Sequence, residues 1–174
     1  LEGQAFFDVA KDPSNPFRVQ MDDMQAEALG TAFELFNYED SEDMEAVLVN
    51  GKIKVSFEQD NKVVKEQIIN PDERLIWHKK SNQVEVGKID ADKYTLWRTG
   101  VLSFENENLS MIIPRLERWY GRNIQCEESL LNNYSFTFKV RDESLDVILF
   151  IMRQSAPLQY KKNTDESYIL IPKK

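Results

Sequence analysis

The sequence predicts an α+β protein. An amino-terminal all-β domain over residues 1–92, solenoid-like or a twisted sheet, precedes a small βαβ-βαβ domain over residues 93–174. Three observations predict this. Apolar and polar residues alternate through much of the first 90 positions, the period of half-buried strands, with turn-forming residues between the runs. Beyond residue 90 the apolar spacing becomes helical in two places. Strand-like runs bracket each helical stretch.

The chain opens within a strand-like stretch, Leu1 to Val9, with no initiator methionine and no secretion-signal pattern, so it reads as a piece of something longer. Phe17, Val19 and Met21 then alternate with polar neighbours, as do Ile53, Val55 and Phe57, and later Val84, Val86 and Ile89. Turns are expected at Asp12-Pro13-Ser14-Asn15-Pro16, Asn50-Gly51 and Asn70-Pro71-Asp72, where the residues fix φ, permit positive φ, or bond their own backbone. Glycine followed by alternating apolar residues recurs at Gly3, Gly30 and Gly51, 27 and then 21 residues apart. Such a period suits the rungs of a β-solenoid, and an antiparallel sheet with glycine turns suits the pattern nearly as well.

Ile89-Asp90-Ala91-Asp92-Lys93-Tyr94 is a polar stretch that links or caps. After a strand-like run from Val101 to Phe104, the residues Leu109, Ile112, Ile113, Leu116, Trp119 and Tyr120 fall on one helical face. Pro114 lies within that pattern, and a proline deep in a helix costs roughly 3 kcal/mol. A late helix start, near Ser110, is the expected remedy, with a kink as the other. Asn123 to Cys126 and Tyr134 to Val140 read as strands. Leu145, Ile148, Leu149 and Met152 form a second helical stripe, with Asp142 as the expected cap and Glu143 and Asp146 near the positive end. Leu158 to Tyr160 and Tyr168 to Ile171 are the last strands.

Composition narrows the function. The 22 Lys and Arg against 30 Asp and Glu give a net charge of −8, and no window is dominantly basic, which argues against a nucleic-acid partner. The longest apolar run, Val147 to Met152, is far short of the roughly 20 residues a membrane span needs, so the segment is expected to be soluble. A single cysteine, Cys126, precludes an internal disulfide framework and a multi-cysteine metal site.

Catalysis has little support in the residues. His78 is the only histidine, and Cys126 lies in an apolar-polar alternation where a small buried hydrophobe is the usual role. The clusters Glu39-Asp40-Ser41-Glu42-Asp43 and Asp22-Asp23 lack the spacing and central glycine of a calcium loop and read as solvated loops. Gly3, Gly30 and Gly51 are not followed by the second glycine and lysine of a phosphate cradle. Trp77, Trp97, Trp119 and Tyr120 share no face and are expected in core or domain-junction packing rather than in a sugar-stacking platform. No catalytic residue, cofactor or metal is expected.

The run Leu1-Glu2-Gly3-Gln4-Ala5-Phe6-Phe7-Asp8-Val9-Ala10-Lys11-Asp12, then Pro16-Phe17-Arg18-Val19 and Leu29-Gly30-Thr31-Ala32-Phe33, resembles the periplasmic domain of FecR-type anti-sigma factors. Trp97-Arg98-Thr99-Gly100-Val101-Leu102-Ser103-Phe104, Leu116-Glu117-Arg118-Trp119-Tyr120 and the segment Phe136 to Leu149 resemble the carboxy-terminal domain that follows it in Bacteroides-type members. The resemblance implies a domain related to the secretin and TonB amino-terminal fold. It also implies a membrane helix and a cytoplasmic sigma-binding domain upstream. The partners implied are the signalling domain of a TonB-dependent outer-membrane transporter and, through the missing cytoplasmic domain, an extracytoplasmic-function sigma factor. A carbohydrate- or polymer-binding β-rich module is the alternative.

Two surfaces are expected to meet a partner. The second helix carries Val147, Phe150 and Ile151 opposite its main stripe, so that face is either covered by the amino-terminal domain or presented. The strand containing Tyr134, Phe136 and Phe138 is aromatic on one face and offers an edge for strand addition.

Overall fold

The alternating stretches of the amino-terminal region form strands that all pair antiparallel with their neighbours. In chain order they are β1 (Gly3–Asp8), β2 (Phe17–Met21), β3 (Met24–Ala28), β4 (Ala32–Asn37), β5 (Asp43–Asn50), β6 (Ile53–Gln59), β7 (Lys62–Ile69), β8 (Glu73–His78) and β9 (Gln83–Lys88). They make two sheets, ordered β1-β4-β5-β8-β9 and β2-β3-β6-β7. The structure, a computed structural model, describes residues 1–59 and 62–173. The chain divides into two units, Leu1–Thr95 and Leu96–Lys174.

In the first unit, successive hairpins go to alternate sheets: β2-β3 to one, β4-β5 to the other, β6-β7 to the first, β8-β9 back again. The crossings stack on one another. Val9 and Thr31 exchange backbone hydrogen bonds of 3.0 and 3.1 Å, Thr31 Oγ1 donates to the Lys52 carbonyl, and Ile89 N–H donates to the Asp72 carbonyl. Three crossings carry a residue at positive φ, namely Gly30 (113°), Gly51 (91°) and Asp72 (60°), each 21 residues after the last. A Cβ on Gly30 would lie 2.6 Å from Lys11 Cα, and one on Gly51 would lie 2.8 Å from the Gly30 carbonyl oxygen. Only glycine fits there.

The repeat is therefore real, but it differs from the solenoid-like expectation. Solenoid rungs stack in parallel, whereas here every ladder is antiparallel because each repeat adds a hairpin. Gly3 begins β1 and is not a crossing.

One core lies between the two sheets. Phe33, Leu35, Met44, Leu48, Leu75 and Trp77 meet Met21, Met24, Ile53, Val55, Phe57 and Ile69, nearly all fully buried. Phe57 and Trp77, one from each sheet, pack edge to face at 5.3 Å. A short helix α1 (Ala91–Tyr94), capped by the Asp90 side chain, and a 3-10 turn (Thr95–Thr99) follow β9.

The second unit runs β10 (Leu102–Asn108), α2 (Leu109–Tyr120), β11 (Ile124–Cys126), α3 (Glu128–Leu131), β12 (Ser135–Val140), α4 (Leu145–Ser155), β13 (Leu158–Lys162) and β14 (Tyr168–Pro172). The predicted order of strands and long helices is present, but the pairing is not that of two local βαβ units. β10 pairs antiparallel with β12, while β11 runs parallel to β14 in the sheet β11-β14-β13. Both long helices bury their predicted stripes, Leu109, Ile112, Ile113 and Leu116 in α2 and Leu145, Ile148, Leu149 and Met152 in α4, into a core shared with both sheets.

Two helix details differ from expectation. Helix α2 begins at Leu109, close to the expected late start, yet Pro114 still falls in its second turn, where four buried apolar side chains offset the lost hydrogen bond. Helix α4 is capped by Ser144, whose hydroxyl accepts from the Val147 N–H at 3.4 Å, and not by Asp142. The first helical residue is Leu145, so Asp142 lies too far upstream to reach the free N–H groups.

Candidate functional site

The outer face of α4 carries the largest exposed apolar stripe of the second unit. Val147 is 45%, Phe150 48% and Ile151 50% exposed, at the i, i+3, i+4 spacing that puts them side by side. The Arg153 guanidinium lies 5.5 Å from the centre of the Phe150 ring, covering part of it with charge. Ile151 stands beside a groove of about 450 Å³ of open space between α4 and β12. Ile148, Met152 and Ser155 continue the helical wall, and five consecutive residues of β12, Phe136 to Val140, form the other.

The aromatic residues of β12 face inward. Phe136 is buried in the core, Phe138 stacks against Phe104 at 4.8 Å between ring centres, and Tyr134 is partly buried against the same cluster. Ser135, Thr137 and Lys139 are the side chains that β12 exposes. The open feature of this strand is thus its backbone edge rather than its rings.

The remaining candidates take structural positions. His78 Nδ1 lies 2.6 Å from Asp43 Oδ1 and Nε2 lies 3.4 Å from Glu85 Oε1, tying β8 to both neighbouring strands. Its pKa is raised, first by the hydrogen bond to Asp43. Asp43 thereby leaves the predicted acidic loop and begins β5. Burial pushes the Cys126 thiol up to about 11, with the Glu127 charge adding to it, so it is a poor nucleophile at neutral pH. Trp77 lies in the first core, while Trp97, Trp119 and Tyr120 pack against the second. Among the described residues, no group of three or more His, Cys, Asp and Glu side chains is arranged to hold a metal ion.

Two family models match this architecture, in order along the chain. The one described as FecR protein covers residues 1–54, from β1 into β6, and the one described as FecR, C-terminal covers residues 101–170, from β10 into β14. The chain belongs to the FecR family. Two crystal structures of a candidate anti-sigma factor from Parabacteroides distasonis ATCC 8503 are similar to it. Each is 25% identical and matches 99% of this chain, with TM-scores of 0.87 and 0.85 over 79% and 78% of their own lengths. No curated protein matches.

FecR-type anti-sigma factors are regulatory signalling proteins, and the family implies interaction with a sigma factor. The groove between β12 and α4 lies wholly within the FecR carboxy-terminal region. No helix among the described residues is long and apolar enough to cross a membrane.

Proposed function

We propose that this chain is the periplasmic receiver region of a membrane-anchored FecR-type anti-sigma factor. It takes a signal from the signalling domain of a TonB-dependent outer-membrane transporter and relays it to an extracytoplasmic-function sigma factor, regulating nutrient-uptake genes. The observation that carries this reading is the presence of both FecR regions, in order, on one chain. The exposed stripe of Val147, Phe150 and Ile151 supports it, because a solvated helix seldom leaves three large apolar side chains together unless something covers them.

Calorimetric titration with the signalling domain of the transporter encoded beside this gene tests the reading. Binding of the unaltered chain is expected, and failure to bind removes the transporter from the relay. Phe150→Glu and Ile151→Glu are expected to weaken binding by about tenfold or more, the scale of a buried apolar contact at an interface. Their thermal midpoints should stay near that of the unaltered chain, since both side chains are already half in water. Normal binding by both variants would take the helix face out of the interface.

A further inference from the structure

We propose that β12 accepts an extended strand of a partner protein along its open edge, in the groove beside α4. The incoming strand carries apolar side chains at alternate positions and an acidic residue next to Lys139. The proposal deepens the receiver reading and rests on it for the identity of the partner, though not for the chemistry of the groove.

The backbone comes first. β12 has a ladder partner on one side only, β10, in a sheet of two strands. Among the described residues, no turn, cap or loop backbone group bonds to residues 135–140. Every second residue of this six-residue strand thus turns its N–H and C=O to an unpaired edge about 20 Å long. An apolar small molecule would leave those groups unanswered, whereas a second strand answers them all.

The wall comes second. The groove follows the strand along five consecutive residues, with Ile148, Ile151 and Met152 of α4 opposite. An edge strand flanked by a helix is the arrangement through which PDZ-type domains take extended peptides. Side chains of an added strand alternate in direction, so every second one enters the apolar side against Ile151 and Met152.

Charge then selects the occupant. Two charged residues line the groove, Lys139 and Glu143; the Glu143 carboxylate accepts from the Arg141 N–H at 2.7 Å, whereas Lys139, the only charged residue of β12, is exposed and makes no ion pair among the described residues, in a chain whose net charge is −8. A second copy of β12 would bring another lysine to the same edge, where like charges across a ladder are destabilising. A strand with Asp or Glu opposite Lys139 meets the charge instead.

Hydrogen exchange of the full chain, read by mass spectrometry, tests this with two capped seven-residue peptides, one alternating Val with Glu and one alternating Val with Lys. The acidic peptide should slow exchange of the β12 amides by about fivefold or more at saturation, as pairing converts exposed edge amides to ladder amides. The basic peptide should not. Lys139→Glu should reverse the preference and Ile151→Glu should abolish slowing by the acidic peptide, with melting curves confirming that both variants stay folded. No slowing at β12, or equal slowing by both peptides, overturns the proposal, as does concentration-dependent self-association that itself protects β12.

The transporter's signalling domain is the third probe. If it binds while β12 amides exchange at their free rate, strand addition fails and the relay stands. If it does not bind while the acidic peptide protects β12, strand addition stands and the relay fails.

Discussion

His78 ties three strands together through Asp43 and Glu85, and the strength of that tie depends on its protonation. The hydrogen bond to Asp43 holds its pKa above the ordinary 6.5, so the folded state binds the proton more tightly than the unfolded chain. The stabilisation is complete below about pH 6.5 and is lost as pH rises through the folded value. Thermal melts between pH 6 and pH 9 should show a fall in midpoint that is absent in His78→Gln. A parallel fall in the variant would assign the effect to other groups. Neither partner of His78 could be named from the sequence, because Asp43 lies 35 residues away and reaches it only through the β5–β8 register. Cys126 was easier to read: its place in an apolar-polar alternation predicts a small buried hydrophobe, and the thiol is partly buried, with burial raising its pKa. Asp72 was harder, since only Gly30 and Gly51 display the need for positive φ in their residue type.

At the level of elements, α4 gives the sharpest comparison. Its buried stripe is the one its 3.6-residue period predicts, while its cap is Ser144 and not the expected Asp142, because both residue types can cap and both precede the stripe within one turn. Ser144→Ala should lower stability by about 1 kcal/mol, the usual value of a side-chain cap, and Asp142→Ala should change it by only a few tenths. Equal effects of the two substitutions in denaturant titrations would mean that the cap is shared. Pro114 shows why a local rule can be outvoted. Leu109, Ile112, Ile113 and Leu116 each bury fully or nearly so, and roughly 1.5–3 kcal/mol per side chain exceeds the proline penalty. The four-residue α3 is too short to display a period at all.

On the scale of the whole molecule, each unit has its own core, and we propose a domain boundary at Thr95–Leu96. A fragment beginning at Leu96 should give a cooperative melt of its own and keep the slowed exchange of its α2 and α4 amides. A fragment that is unfolded in isolation would show that the second unit needs the first. Periodicity and turn residues determined, from the sequence alone, that strands come first and that two amphipathic helices follow, because burying one face of each element is a local requirement written at fixed spacing. The family was legible too, in ordered runs such as Gly3 to Asp12 and Trp97 to Phe104. Only the tertiary structure decided which strands pair: hairpins dealt alternately to two sheets, β10 to β12 across α2, β11 and α3, and β11 to β14 across α3, β12, α4 and β13. Hydrogen-bond partners of a strand are the same backbone groups whatever the side chains, so sequence marks a strand without marking its neighbour. The open edge of β12 follows from that pairing: the sequence marked this strand as one that could take strand addition, and only the pairing with β10 shows that an edge is left open.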